Sequence, residues 1–188
     1  MRRFHPFTAG FLAVLAVAMV PGACAAASLV LGGGMAEDCY KAARANATDR
    51  ASLDLCTEAI EQEALSTKDL ASTLVNRSVI LLGRRVYDAA VRDLDRAIQL
   101  RPQLAEAYVN RGAARVGLKQ YQGAVADLDR GLALGAPEPA KAWYDKGLAH
   151  EDLGDLQQAY DDYKKASELR PEWQLPKDEM KRFTLKQG

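Results

Sequence analysis

Apolar positions along the chain follow three different patterns. Phe11 to Val20 is an almost unbroken apolar run. It is shorter than the ~20 residues a membrane-spanning helix needs, and Pro21-Gly22 ends it. From Glu37 onward, apolar residues recur every three or four positions, the period of an amphipathic helix. The stretch Glu37-Asp-Cys-Tyr-Lys-Ala-Ala-Arg-Ala-Asn46 places two acids in the first turn of a predicted helix. Ala47-Thr-Asp-Arg50 breaks it and offers Thr48 or Asp49 as the cap of a second helix, predicted to run to about Ala64 with Leu53, Cys56 and Ile60 on one face.

Beyond Ala71 the helical pattern repeats itself. Ala71-Ser-Thr-Leu-Val-Asn-Arg-Ser78, Ala105-Glu-Ala-Tyr-Val-Asn-Arg-Gly112 and Ala140-Lys-Ala-Trp-Tyr-Asp-Lys-Gly147 begin 34 and 35 residues apart. Small residues recur in step downstream, at Ala90, Ala124 and Ala159 and again at Ala97, Gly131 and Ala166. Large residues stand between them at Leu94, Leu128 and Tyr163. Pro102, Pro137 and Pro171 close the copies, the second displaced by one extra residue in Leu134-Gly-Ala-Pro-Glu-Pro139.

In these residues the segment from Ala71 to Trp173 resembles the tetratricopeptide-repeat family. The resemblance implies an all-α fold, a solenoid of helix-turn-helix units in which small residues let helices approach closely and neighbours supply each other's core. Ser78 departs from the family's usual glycine, and Arg77, Arg111 and Lys146 stand where it has an aliphatic residue. The expected organisation is an export segment over 1–36, a cysteine-bearing helical hairpin over 37–69 and three repeats over 71–104, 105–139 and 140–173. A capping helix follows over 174–188, with Leu175, Met180 and Phe183 as its packing side. The hairpin can be read as a degenerate fourth repeat.

The family resemblance also implies a site. First helices line a concave surface, so Val75, Asn76, Val79, Val109, Asn110, Ala113, Lys141, Tyr144, Asp145 and Leu148 are the expected partner-binding residues. Ser72, Leu82, Glu106, Val116 and Asp152 complete that lining. An Asn side chain both donates and accepts, which suits Asn76 and Asn110 to the main chain of an extended peptide; hydrogen bonding on the helix surface is the alternative. Some family members grip a C-terminal carboxylate with a clamp of Lys, Asn and Arg. Asn110 and Lys141 match two of its positions, whereas Val75, Val79 and Asp145 replace the others, and an Asp there would repel a carboxylate.

Charge and cysteine content narrow the class further. The whole chain is formally neutral, with 25 basic and 25 acidic side chains. Such a balance without basic blocks argues against a nucleic-acid surface. Met1-Arg-Arg-Phe-His-Pro-Phe7 before the apolar run, and small residues after it, have the layout of a secretory signal. Cleavage after Ala25, Ala27 or Ala36 satisfies the small-x-small requirement, with the last two preferred and no membrane span remaining afterwards. Periplasmic or secreted localisation is therefore expected. Cys24 as a lipoprotein acceptor, or an uncleaved anchor, is the competing reading. In an oxidising compartment Cys39 and Cys56 would form a disulfide across the hairpin, with two buried thiols as the alternative.

Catalytic chemistry is not expected, nor a cofactor or metal site. Asp93-Leu-Asp95, Asp127-Leu-Asp129 and Asp161-Asp162 recur with the repeat, which points to a solvated face paired with Arg92, Arg96 and Arg130 at helical spacing. His150 stands where the family has an aromatic residue, and is expected to pack between helices. A protein or peptide partner in the cell envelope is the expected ligand. A structural oligomerisation module, or a membrane-anchored assembly factor, is the alternative.

Overall fold

The computed structural model describes residues 26–28 and 34–185. The charged start, the apolar run and Cys24 lie outside them. The described residues form α1 (Met35–Arg44), α2 (Arg50–Gln62), α3 (Thr67–Gly83), α4 (Tyr87–Leu100), α5 (Ala105–Gly117), α6 (Tyr121–Ala133), α7 (Pro139–Leu153), α8 (Leu156–Leu169) and α9 (Gln174–Leu185), with no strand among them. Each helix packs on the next, and α1, α3, α5 and α7 also pack in succession. This is the nearest-neighbour stacking of an all-α solenoid.

Local chemistry sets the helix ends. Asp49 caps α2 by accepting the Ser52 N–H, and those hydrogen bonds hold its carboxyl below the usual range. Ser66 caps α3 by accepting the Asp69 N–H, and Pro139 opens α7, where its missing N–H costs nothing. The turn inside each repeat passes through a left-handed residue at the same place, Arg85 (φ 61°), Lys119 (φ 60°) and Gly154 (φ 85°). Glycine meets that demand in the third repeat alone.

The recurring small residues are where two helices touch. Ala90, Ala124 and Ala159 are fully buried, as are Leu94, Leu128 and Tyr163. A Cβ on Gly112 would lie 2.6 Å from Leu128 Cγ, and one on Gly147 would lie 2.6 Å from the Tyr163 ring. Ser78 fits at the corresponding place in the first repeat by donating its hydroxyl to the Val75 carbonyl at 2.6 Å. At one end Cys39 and Cys56 are joined (S–S 2.08 Å) and pack against Ile80 of α3. At the other, Leu175, Met180 and Phe183 of α9 close over Tyr144, Tyr163 and Trp173.

One aspartate of each repeated pair is buried, not part of a solvated face. Asp93, Asp127 and Asp162 are only 7%, 4% and 5% exposed. Their partners are the cations at the position that departs from the family pattern. Arg77 holds Asp93 through two bonds of 2.7 and 2.8 Å, and Arg111 holds Asp127 through two of 2.6 and 2.8 Å. Arg111 also reaches back to Asp95 of the preceding repeat at 2.6 Å, as Lys146 does to Asp129 at 2.8 Å. His150 occupies the register of Arg115: Arg115 pairs with Asp127 at 2.6 Å, and His150 Nδ1 lies 2.6 Å from Asp162. Burial pushes the Asp162 carboxyl up, against the pull of His150. Arg130 takes a different role, stacking on the Tyr108 ring. The cause is burial: carboxylates pressed between two helices need donors from the facing helix, which i±4 neighbours on their own helix cannot supply.

Candidate functional site

Three first helices, α3, α5 and α7, present the same positions in parallel, one repeat apart. Val75, Asn76, Val79, Val109, Asn110 and Ala113 are all buried, at most 4% exposed. Two fully buried amides on the inner surface require partners, since an unpaired buried amide is costly.

Those partners are the chain's own residues 26–28. Asn76 Nδ2 donates to the Ser28 carbonyl at 2.8 Å, and its Oδ1 accepts the Ser28 N–H at 2.7 Å. Asn110 repeats the arrangement on Ala26, at 2.7 and 2.8 Å. Ser28 Oγ also lies 3.4 Å from Ser72 Oγ. In an extended strand the N–H and C=O of one residue point to the same edge, and those of residue i+2 share that edge. Two amides one repeat apart therefore engage alternate residues. The segment runs opposite to the repeats, with Ser28 on the first and Ala26 on the second. The side-chain space is tight. Ala26 faces Glu106, Val109, Ala136, Pro137 and Lys141 across a gap too small for a water molecule. Beside Ser28 an open cleft of about 350 Å³ is rimmed by Lys68, Arg101 and Glu106.

The third repeat contributes differently. Tyr144, expected on the groove, is 3% exposed and lies against the Trp173 and Tyr163 rings, at 4.9 and 5.6 Å between centroids. Its hydroxyl donates to Glu179 of α9, so the terminal helix claims this side chain. Leu148 packs in the same terminal cluster. Lys141 is paired with Glu138 at 2.6 Å, and Arg170 holds the same carboxylate at 3.1 Å. Asp145 shares the repeat position of Asn76 and Asn110 and is 1% exposed. Its Oδ2 has no hydrogen-bond partner among the described residues, and burial pushes its pKa up to about 7, with Lys141 opposing. The residues at the clamp positions thus do not converge on a carboxylate.

The family profile of the tetratricopeptide repeat matches residues 140–172. Solved structures of such repeats superpose on the array. The chain has the fold of a tetratricopeptide-repeat solenoid. Among similar structures of the fold, MamA from Desulfovibrio magneticus RS-1 aligns with a TM-score of 0.65 at 24% identity, over 82% of this chain and 86% of that one. The tetratricopeptide-repeat domain of Arabidopsis OM64 aligns at 0.59 and 25% identity, over 62% of this chain and 96% of that one. The second such domain of human RPAP3, in complex with the HSP70 peptide SGPTIEEVD, aligns at 0.58 and 22% identity, over 63% and 98%. A search of curated proteins gives no match. In this tetratricopeptide-repeat array, the feature that sequence reasoning missed is the occupant of the groove. The run of small residues in Ala25-Ala-Ala-Ser28 coincides with a cleavage motif, which masks it.

Proposed function

We propose that this protein is an exported interaction scaffold that binds an extended segment of another cell-envelope protein along its concave face. One observation carries the reading: the four hydrogen bonds by which Asn76 and Asn110 hold the main chain of Ser28 and Ala26. Amides that engage both N–H and C=O of alternate residues recognise backbone in extended form, whatever its side chains. The peptide-bound RPAP3 domain supports the same use of the fold. Export rests on the basic start, the apolar run and the small residues after it, and the Cys39–Cys56 bond suits an oxidising compartment.

Crosslinking in intact cells followed by capture tests the scaffold reading. The Asn76→Ala/Asn110→Ala variant should lose at least about tenfold of the captured partner while its helical circular dichroism is unchanged, since each lost bond to the main chain is worth about 0.5–1.5 kcal/mol. Equal recovery by that variant would remove the groove from consideration. Fractionation and the intact mass of the recovered chain test export. A cytoplasmic chain still carrying Met1 or Arg2 would refute it.

A further inference from the structure

The segment that fills the groove belongs to the chain itself. Ala26 and Ser28 are 5% and 3% exposed, and Ala27 packs against the core formed by α3 and α4. We propose that Ala26-Ala27-Ser28 is a tethered occupant, which closes the groove to partners until it is displaced or removed and displays the class of peptide they must offer. That class is an extended segment with a small residue at the position whose main chain meets Asn110, followed two residues later by one whose side chain borders the open cleft beside Asn76. The inference rests on the groove reading given above.

Two features of the contact carry it. Both pairings are two-point and main-chain only, so any extended segment satisfies them equally, and a covalently attached one has the advantage of proximity. A short tether presents its segment at an effective concentration of the order of millimolar, against which a free peptide must compete. The walls then restrict the side chains. The gap beside Ala26 admits no water molecule, so a longer side chain there would collide with Val109 or Ala136. Ser28 Oγ lies 3.4 Å from Ser72 Oγ but borders the open cleft, so the restriction falls on the residue at the Asn110 rung. Processing also enters here. Cleavage after Ala27 would sever the pair of contacts, and cleavage after Ala36 would release the whole segment from the repeats. Either event converts a self-filled groove into an open one.

The experiment uses the full chain carrying Cys24→Ser, and a fluorescein-labelled synthetic peptide of residues 23–31 as probe, read by anisotropy. Ala26→Trp/Ser28→Trp ejects the tethered segment and should bind the probe at least about tenfold more tightly than the parent. A probe with Trp at the same two positions should bind neither, and adding Asn76→Ala/Asn110→Ala should abolish binding, with circular dichroism unchanged throughout. Equal binding by the parent and the Trp variant overturns the tethered occupant while leaving the groove reading intact. Failure of every form to bind the probe, with partner capture still dependent on Asn76 and Asn110, overturns the peptide class. If capture is independent of them as well, the groove reading falls too. Ser28→Cys/Ser72→Cys in the same background supplies a second measurement. An intrachain disulfide that blocks the probe is expected, and a bond formed only between chains would overturn occupancy in cis.

Discussion

Asp145 is a carboxyl buried to 1% exposure at the position where the two preceding repeats carry Asn. Burial raises its pKa from 3.8 to about 7, and Lys141 opposes only part of that rise. The folded state therefore holds this proton more tightly than the unfolded chain does. The contribution of Asp145 to stability is fully present below pH 3.8, declines as pH rises toward 7, and is level above that. A rise of about three units at 1.36 kcal/mol each gives a loss of about 4 kcal/mol across the window. Asp145→Asn removes the titration. It also introduces an amide whose N–H groups need acceptors, at a cost of about 1–3 kcal/mol if they find none. The variant should thus be less stable than the parent near pH 4 and more stable by about 1–3 kcal/mol at pH 8, the two curves crossing in between. Urea unfolding followed by circular dichroism at half-unit pH intervals measures this directly. In the parent, the curve should carry a slope of up to about 1.4 kcal/mol per pH unit that the variant lacks. Parallel curves from pH 4 to 8 would show that Asp145 is ionised throughout and that the burial argument is wrong. Lys141→Met should move the parent's inflection to higher pH, because a neighbouring positive charge is lost.

Three further outcomes follow from the packing. Arg111→Met should cost about 2–3 kcal/mol in urea unfolding, less than the usual penalty for orphaning a buried acid because Arg115 still holds Asp127 at 2.6 Å. In an Asp127→Asn background the same change should cost at least 1 kcal/mol less, and strict additivity would deny the pairing. Reducing Cys39–Cys56, which are 17 residues apart, should lower stability by about 3 kcal/mol and raise the intact mass by two hydrogens. An unchanged mass would mean free thiols. Lys119→Gly should raise stability by up to about 1 kcal/mol, since residue 119 adopts φ 60° in the turn between α5 and α6. A lower thermal midpoint would mean that the lysine side chain does more than occupy a strained position.

The repeat architecture was legible because it is periodic. A small residue at Ala90, Ala124 and Ala159 has a steric cause that acts identically in every copy, so the cause can be read from the recurrence. The carboxylates were misread for a reason visible in the same alignment. Helical spacing pairs Asp93 and Asp127 with arginines near them in sequence, although the cations of the facing helix recur just as strictly. The separations Arg77 to Asp93 and Arg111 to Asp127 are both 16 residues. Two charges of opposite sign that keep a constant offset across repeats mark a contact between helices, and that offset was the unused signal. Tyr144 escaped for the opposite reason. It stands at a groove position, yet its ring packs on Tyr163 and Trp173 and its hydroxyl donates to Glu179 of α9, partners that have no counterpart in the earlier repeats' sequence. The occupant of the groove was illegible because Ala26 to Ser28 belongs to a stretch whose composition reads as a processing signal, with no helical or strand period.

The pairing of Asn76 with Ser28 and Asn110 with Ala26 gives the departure at Asp145 a mechanical meaning. A main-chain rung requires a side chain that donates to C=O and accepts from N–H. An ionised carboxylate only accepts, while a protonated one does both. With the Asp145 pKa near 7, the third position can complete a rung in acid and fails to do so above neutrality. An extended peptide continuing two residues beyond the one held by Asn110, toward the third repeat, should therefore gain affinity as pH falls from 8 to 5. In a chain opened by Ala26→Trp/Ser28→Trp, the gain should approach about tenfold, the equivalent of two further hydrogen bonds of modest strength. Asp145→Asn should bind the longer peptide with that gain at every pH, and a peptide stopping at the Asn110 rung should show no pH dependence in either chain. If the longer and shorter peptides bind alike at pH 5, main-chain recognition ends at the second repeat, and the buried acid of α7 bears on stability alone.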